Sequence, residues 1–305
     1  MGETMHTSSM TVLMVASVFG GCVVGEEDDI GDHDLALAGK TTAMIKIVQH
    51  NIEKKPDVLQ RVIAHAQNSG AHGIALQEVC PAEVAWLQAN YGSQWSIGAV
   101  RGKKRAISGC DLPDGTHDYP HAVVIWTGGT GASTFAHEAM ARPATAPGAM
   151  VCVNFDRARV PVHFCSAHLI AGDWRDPATN IDYDGKTLRL QQTTYIKQLA
   201  RDQWFGGAKN HFGIIAGDLN GQPSSEPLDK LYDGALGGTG DFTEYNRNGG
   251  NRDGQVTAHP DDSAAKKIDY VFYSTNRAPL DGPAVNVTAT ASDHDMVTSS
   301  VQMHK

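Results

Sequence analysis

Short apolar segments alternate with amphipathic helices along most of this chain, and this alternation restricts the folds that the chain can adopt. Residues 45–49 form one apolar segment, and Pro56 begins a helix after it. Residues 73–77 form a second, and Pro81 begins the next helix. Apolar runs of this length between turn residues are typical of buried strands, and strand–helix alternation is typical of α/β proteins. We therefore predict an α/β fold.

The centre of the chain is predicted to be rich in strands. Strands are predicted at 95–100, 122–126, 133–137, 150–156, 160–166, 212–216, 268–273, 284–290 and 296–301, with a long helix at 186–203, a short helix near 227–232 and a glycine-rich loop up to Gly254. Two halves that each combine paired strands with outer helices predict a four-layer α/β sandwich of two packed mixed sheets flanked by helices. Periodicity alone leaves an open doubly wound sheet as the alternative.

The N-terminal region is predicted to be an export segment. We place an export leader and an acidic tether at 1–40 and a single folded domain at 41–305. The apolar run at 12–19 is too short to span a bilayer and leads through small residues to Cys22. This resembles a bacterial lipoprotein signal, so Cys22 is a predicted lipid anchor, and the protein is predicted to be secreted, periplasmic or anchored at the cell surface. No Lys or Arg precedes the run. A leader without an export function is therefore the alternative.

Charge and cysteine content agree with an exported protein. The formal net charge of -9 argues against a protein that coats nucleic acid, because such coating needs clustered Lys and Arg. Once Cys22 is set aside, an even number of cysteines remains, which suggests two disulfides in an exported chain. Cys152 and Cys165 bracket a predicted hairpin, so we pair them and leave Cys80 with Cys110. Buried free thiols are the alternative.

Polar residues stand just beyond the ends of the predicted buried strands, at Asn51, Glu78, His168, Asp218 and Asn220. Strand ends in α/β folds deliver side chains to a shared ligand-binding edge. Asp218 and Asn220 are two residues apart, so both side chains can face the same side of that edge. Each residue alone also has an ordinary structural explanation, such as a turn or an ion pair.

A carboxylate within the last third of the chain needs a partner. Asp269 lies among the apolar and aromatic residues 268–273, where burial of an unpaired charge is costly. His294 lies in a polar segment before the last predicted strand and can supply that partner. A surface turn is the alternative explanation for His294 and its neighbours.

Together these segments resemble the endonuclease/exonuclease/phosphatase family, the DNase I-like hydrolases. The matching pieces stand in the family's order and run from about residue 45 to residue 301. They are His50-Asn51-Ile52, Leu76-Gln77-Glu78-Val79, Ser166-Ala167-His168-Leu169, Gly217-Asp218-Leu219-Asn220, Lys267-Ile268-Asp269-Tyr270-Val271-Phe272 and Ser292-Asp293-His294. Each piece is short, but their common order makes a chance match improbable.

The resemblance implies a phosphoesterase that depends on a divalent metal. Glu78 would be the main ligand of Mg²⁺ or Mn²⁺, helped by Asn51 and by Asp293 through water, with Ca²⁺ as a further candidate for a structural ion. A few oxygen ligands plus waters suit such a hard cation. The metal would stabilise the negative charge that gathers on the phosphate as water attacks.

The resemblance also assigns roles in catalysis. Asp218 would orient or deprotonate the attacking water, and Asn220 would hold a phosphate oxygen. Asp269 and His294 would form a hydrogen-bonded pair, and His168 would donate to the phosphate or to the leaving oxygen. Whether Asp218 or His294 acts as the base stays open at this point.

The substrate is less constrained than the reaction. Arg101, Lys103, Lys104 and Arg105 form a basic cluster suited to a phosphate backbone, and Trp174 is suited to contact a base or a headgroup. The alternatives are a solvated loop or a contact with anionic lipid for the basic cluster, and a packed Trp174. We favour DNA and an endonuclease, with a sphingomyelinase-like or inositol-phosphate phosphoesterase second and a non-catalytic binding protein third. We expect a monomer without an obligate protein partner.

One departure weakens the nuclease interpretation. DNase I-like nucleases have a further acid that partners the first catalytic histidine. Asp118 is the nearest match in this chain, and its neighbourhood differs from the family pattern.

Overall fold

A computed structural model describes residues 42–102, 110–111, 117–205, 209–261 and 264–305. The predicted leader, the anchor at Cys22 and the boundary after residue 40 lie outside these residues and stay predictions. Within the described residues, the structure contains no helix that is both long enough and apolar enough to cross a bilayer.

The first half of the described chain contains most of one sheet and two of its helices. In chain order the elements are β1 (Thr42–Asn51), α1 (Pro56–Ser69), β2 (Gly73–Val79), α2 (Pro81–Tyr91), β3 (Ser96–Arg101), β4 (Cys110–Asp111), β5 (His117–Asp118), β6 (His121–Trp126), β7 (Ser133–His137) and β8 (Ala149–Arg157). The predicted strands and helices are present, with ends that differ by a few residues. The pair β4–β5 was not predicted.

The second half contains most of the other sheet. Its elements are β9 (Val160–His168), β10 (Trp174–Arg175), β11 (Asp182–Tyr183), α3 (Gly185–Leu199), a π-helical segment (Ala200–Phe205), β12 (Phe212–Asp218), α4 (Glu226–Asp229), a 3-10 turn (Gly234–Leu236), β13 (Phe242–Glu244), β14 (Asp269–Ser274), β15 (Asn286–Thr288) and β16 (Met296–His304). The long predicted helix therefore ends as a π-helix. β13 lies in the predicted glycine-rich loop, and the pair β10–β11 was not predicted.

Helix α1 shows how the sequence determines local structure. Its buried residues are Val58, Leu59, Val62, Ile63 and Ala66, spaced so that they share one face of the helix. Pro at the first turn fits the helix start, and Gly70 at φ 63° ends it in the left-handed conformation that a C-terminal cap requires. Helix α2 also begins with a proline, but it buries fewer residues.

The inward face of α2 is small. Leu87 is its one buried residue, whereas Val84 and Trp86 are half-buried and pack against the edge of the core. The ring of Trp86 instead meets the ring of Tyr91 edge-on at a centroid distance of 5.7 Å. Part of the apolar surface of α2 is thus covered by its own side chains.

Two six-stranded sheets pack face to face. Their strand orders are β15-β16-β1-β2-β6-β3 and β13-β14-β12-β9-β8-β7. One apolar cluster draws residues from both sheets, including Ile45, Ile47, Phe164, Ile214 and Val271. Two further clusters pack α1 and α2 on one outer face and α3 on the other. The predicted four-layer sandwich is confirmed, and the open doubly wound alternative is excluded because the sheets share a core.

Both predicted disulfides are present. Cys152 and Cys165 join directly paired positions of β8 and β9, so the bond crosses between neighbouring strands. Cys80 follows β2 and joins Cys110 on β4. The second bond therefore ties β4 to the residue that follows β2, close in sequence to Glu78.

Candidate active site

The predicted site residues converge at one edge of the sandwich. β1 and β2 run parallel and end at Asn51 and near Glu78, and β9 and β12 run parallel and end at His168 and Asp218. Asp218 is directly paired with His168 on one side and with Asp269 on the other. Sheet pairing alone therefore places three of the predicted residues next to one another.

A cleft of about 430 Å³ opens above these strand ends. Its wall includes six of the predicted site residues, which are Glu78, His168, Asp218, Asn220, Asp293 and His294. Asn51 and Asp269 are buried beneath it and contact the residues of the wall. The eight predicted catalytic and metal-binding residues thus lie within one site.

Asp218 lies at the centre of the hydrogen bonds in the cleft, with 2% of its surface exposed. Its Oδ1 accepts from the backbone N–H of Asn220 at 3.0 Å, and its Oδ2 accepts from Asn51 Nδ2 at 3.1 Å. The same Oδ2 lies 3.5 Å from His168 Nε2 and 3.7 Å from His294 Nε2. Burial opposes the charge, yet His294, His168 and Asn51 outweigh it and lower the pKa of Asp218 to about 2.

Asp269 and His294 form the predicted pair. His294 Nδ1 lies 2.8 Å from Asp269 Oδ2, which also accepts from Thr257 Oγ1 at 2.9 Å, while Gln49 Nε2 donates to Oδ1 at 3.0 Å. Burial disfavours charge on the imidazole, but Asp269 and Asp218 outweigh it and raise the pKa of His294 to about 10. A protonated ring at neutral pH donates from both nitrogens, to Asp269 at one and into the cleft at the other.

The unfolding free energy of the metal-free protein should depend on the charge state of the Asp269–His294 pair. The pKa of His294 rises from 6.5 to about 10, so its stabilising contribution is complete below pH 6.5 and is lost as the pH rises towards 10. We expect the difference in unfolding free energy between wild type and His294→Ala, measured by urea denaturation in EDTA, to shrink across that range. A difference that stays constant with pH would contradict the ion pair.

A buried polar network behind the site joins the two sheets. Gln49 on β1 donates from Nε2 to Gln77 Oε1 on β2 at 2.9 Å as well as to Asp269 on β14. Gln77 Nε2 donates to Ser166 Oγ on β9 at 3.0 Å, and this hydroxyl donates to the Leu76 carbonyl. The network fixes the strand that carries Asp269 relative to the strand that carries Glu78. Two glutamines in otherwise apolar strands were the sequence signal, and our sequence interpretation missed it.

Glu78 occupies a strained backbone position. Its φ of 55° lies in the left-handed region, where the pairing between β2 and β6 shifts register between Leu76 and Val79. Strain of this kind in a residue with a Cβ persists where the surrounding structure enforces it, and it is common at functional sites. At this register shift the side chain of Glu78 lines the cleft, and its Oε2 lies 3.0 Å from Lys54 Nζ.

The carboxylates around Glu78 fit a divalent cation. Burial and the nearby charges of Glu53 and Glu78 raise the pKa of Asp293, in spite of the opposing effect of His294. Glu53 Oε2 also accepts the backbone N–H of Asp293 at 3.0 Å. Carboxylate oxygens are the donors that Mg²⁺ or Mn²⁺ prefers, and a cation bound near Glu78 and Asp293 would offset the repulsion that raises the pKa of Asp293.

A second set of potential ligand atoms overlaps the catalytic residues. Donor atoms of Asp218, Asp269 and His294 lie within 4.8 Å of one another. Asp269 already accepts three hydrogen bonds, and its contact with His294 Nδ1 fixes the ring. The carboxylate group around Glu78 is therefore the better candidate metal site, since its oxygens line the cleft.

The charge on Glu78 should control metal affinity if it is a ligand. Glu78→Gln keeps the size of the side chain and removes the charge, so the Mg²⁺ concentration at half-maximal activity should rise by about tenfold or more. Glu138→Gln, at an exposed position, is the matched control and should leave the titration unchanged. An unaltered Mg²⁺ midpoint in Glu78→Gln would argue against the ligand role.

Asn220 is held by its backbone and its side chain. Its φ is 50°, and its Nδ2 donates to the Leu169 carbonyl at 3.0 Å. Because Asn220 lines the cleft and its amide has a second N–H, it can still donate to a phosphate oxygen.

The predicted substrate-binding residues are not all at the cleft. Trp174 is buried with Ile170 and Leu188, so it packs in the protein interior and offers no open face to a base. Arg101 pairs with Asp118 and lies over the ring of Tyr119, although its neighbour Gly102 lines the cleft. Lys103, Lys104 and Arg105 lie outside the described residues.

Asp118 does not take the position of the further acid of DNase I-like nucleases. Its carboxylate pairs with Arg101 and accepts the Tyr119 backbone N–H at 2.7 Å. Among the described residues, the ionic partner of His168 is Asp218. The tentative match of Asp118 to the acid that partners His168 is therefore wrong.

The chain belongs to the endonuclease/exonuclease/phosphatase family, whose model matches residues 48–294. Members of this family are in general metal-dependent phosphoesterases and nucleases, in agreement with the carboxylate and histidine groups of the cleft. No curated protein has a significant sequence match to this chain.

Several solved structures share the fold. The human Nocturnin catalytic domain with a bound sulfate anion has a TM-score of 0.59 and 14% identity, over 86% of this chain and 97% of that one. A family protein from Bacteroides vulgatus has a TM-score of 0.55 and 14% identity, over 86% and 99%. D. rerio TDP2 complexed with a single strand DNA product has a TM-score of 0.54 and 11% identity, over 85% and 99%.

Proposed function

We propose that this protein is an exported, divalent-metal-dependent phosphodiesterase that hydrolyses its substrate with an activated water, and that it acts as an endonuclease on DNA. The observation that carries the proposal is the position of Asp218 Oδ2, which Asn51 holds between the Nε2 atoms of His168 and His294. An ionised carboxylate flanked by two imidazoles provides one acceptor for water and two donors for a phosphate.

Each residue has a role that follows from its charge. Asp218, with its low pKa, is ionised at neutral pH and orients the attacking water by accepting its hydrogen bond. His294, with its raised pKa, is protonated and donates to a phosphate oxygen, so we assign it as a donor and Asp218 as the acceptor. His168 donates to the leaving oxygen, and Asn220 holds a further phosphate oxygen.

The metal would be held by Glu78 and Asp293, with Asn51 nearby. When bound, a divalent cation would neutralise charge on the phosphate. Asp269 positions His294 and fixes which nitrogen faces the cleft.

DNA is proposed as the substrate on two grounds. Gly102 lines the cleft and precedes the basic residues 103–105 in the sequence, and a related structure, D. rerio TDP2, holds a single strand DNA product. Two disulfides support an exported protein, since disulfides persist in oxidising compartments. The anchor at Cys22 and the monomeric state remain proposals.

The test is a Mg²⁺-dependent activity panel on plasmid DNA, sphingomyelin and inositol phosphates, with Asp218→Ala as the blank. We expect nicking of plasmid DNA by the wild type and none by the variant. Cleavage of sphingomyelin or of inositol phosphates alone would replace the DNA assignment. Absence of Mg²⁺-dependent turnover on the whole panel would reject the phosphodiesterase.

A further inference from the structure

A second pocket adjoins the catalytic cleft and shares part of its wall. Its volume is about 430 Å³, and four of its lining residues, Ala171, Asn220, Lys266 and Ile268, also line the cleft. Because Asn220 belongs to both, a molecule bound at the catalytic residues can extend past it into this pocket.

The second pocket is cationic. Lys186, Arg189 and Lys266 line it, and no carboxylate stands among its described lining residues. Lys186 pairs with Glu226 at 2.9 Å, but both side chains are more than half exposed, so solvent screens this pair. Arg189 Nη1 donates to the Ile170 carbonyl at 2.9 Å, whereas its buried Nε has no partner.

Lys266 is the cation that most clearly lacks an anionic partner. It is half-buried, and its ammonium group makes no hydrogen bond or ion pair with any part of the chain that the structure describes. The next residue, Lys267, is fully paired, with its Nζ 2.6 Å from Glu244 Oε1. Of the two adjacent lysines, Lys267 thus has a carboxylate partner, whereas Lys266 lines both the catalytic cleft and the second pocket.

We propose that Lys186, Arg189 and Lys266 form a subsite, here called the Lys266 pocket, for a second phosphate group of the substrate next to the scissile phosphodiester. The inference rests on the proposed phosphodiesterase function and deepens it. Charge is distributed to suit such a substrate: the carboxylates of Glu78 and Asp293 line the cleft for a metal, and the Lys266 pocket attracts the neighbouring phosphate. A polynucleotide uses both, whereas a substrate with one phosphate uses the cleft alone.

Two matched thymidine oligonucleotides test this subsite. TpT carries one phosphate, and TpTpT adds a second phosphate and a third thymidine, so the part of the kcat/KM difference that Lys266→Gln removes reports the second phosphate. We expect the wild type to favour TpTpT by about tenfold, as one good phosphate contact allows, and Lys266→Gln to reduce that preference to near parity. Lys209→Gln is the control, because Lys209 precedes β12 at the end of this strand remote from Asp218, and it should keep the preference.

Binding in EDTA separates this inference from the proposed function. Calorimetric titration of the metal-free wild type with TpT and TpTpT should show tighter binding of TpTpT. In Lys266→Gln, the number of ions released on binding TpTpT, measured from the salt dependence of the affinity, should fall by about one. Equal affinities of the wild type for the two oligonucleotides, or a preference for TpTpT unchanged in Lys266→Gln, would overturn the Lys266 pocket. Loss of hydrolysis of both with the binding preference intact would reject the phosphodiesterase and leave the pocket standing.

Discussion

Replacing Asp218 with alanine is expected to lower kcat by about 10³-fold or more, since the change removes the carboxylate that we propose orients the attacking water and the negative charge beside two imidazoles. The carboxylate stays ionised because the nearby imidazoles of His294 and His168 lower its pKa to about 2. Without it, His168 and His294 lose the acceptor that lies 3.5 Å and 3.7 Å from their Nε2 atoms. The attacking water would then lose the acceptor that Asp218 provides.

The measurement is kcat at saturating Mg²⁺ on the best substrate of the activity panel, with circular dichroism to verify that the variant is folded. Asp156→Ala is the matched control, because Asp156 is exposed on β8 at the end opposite to the cleft-lining Ala149. Near-wild-type kcat in Asp218→Ala would remove this residue from the mechanism.

Asp269→Asn is expected to reduce both stability and activity. The carboxylate is fully buried and accepts from Gln49, Thr257 and His294, so an amide of the same shape must direct N–H groups towards existing donors. Disruption of a buried, hydrogen-bonded ion pair costs about 3–5 kcal/mol. The activity of the folded fraction should fall by about 10²–10⁴-fold, because His294 loses both its fixed orientation and the charge that holds its proton.

Urea denaturation in EDTA gives the free energy of unfolding, and kcat measured well below the unfolding transition gives the effect on chemistry. Asp156→Asn serves as the control and should change the unfolding free energy by less than about 0.5 kcal/mol, as is usual for an exposed position. A variant with normal kcat and reduced stability would limit Asp269 to a structural role.

Much of the fold was predictable from local patterns. Buried strands such as β2 and β12 are continuous apolar runs, and α1 has a proline at its start and a glycine at its end. The elements that were missed are those without such a pattern. β13 has three residues in a glycine-rich loop, and its place at the edge of a sheet depends on pairing with β14. Sequence periodicity has no signal for so short a strand.

The site was predictable where a polar residue interrupts or ends an apolar strand. Asn51, Glu78, His168, Asp218 and Asp269 all have this signature. Other residues were missed because their importance comes from contacts across the sandwich.

Three of the missed residues show this. Thr257 lies in a loop without periodicity, yet its hydroxyl holds Asp269. Gln49 acts through a hydrogen bond to a residue 220 positions away. Lys266 differs from Lys267 only in what surrounds each ammonium group.

The sequence by itself indicated the alternation of strands and helices, the cysteine pair across β8 and β9, and the polar residues that converge at the cleft, and it favoured two packed sheets without excluding an open one. These depend on short-range patterns and on residue types that few other roles require. The tertiary structure decided which side chains are buried and which charges are paired. It buried Trp174, paired Asp118 with Arg101, and left Lys266 beside the cleft without an ionic partner among the described residues. Whether a charged side chain has an opposite charge nearby depends on distances between residues that are far apart in the sequence. Those distances exist only in the folded protein.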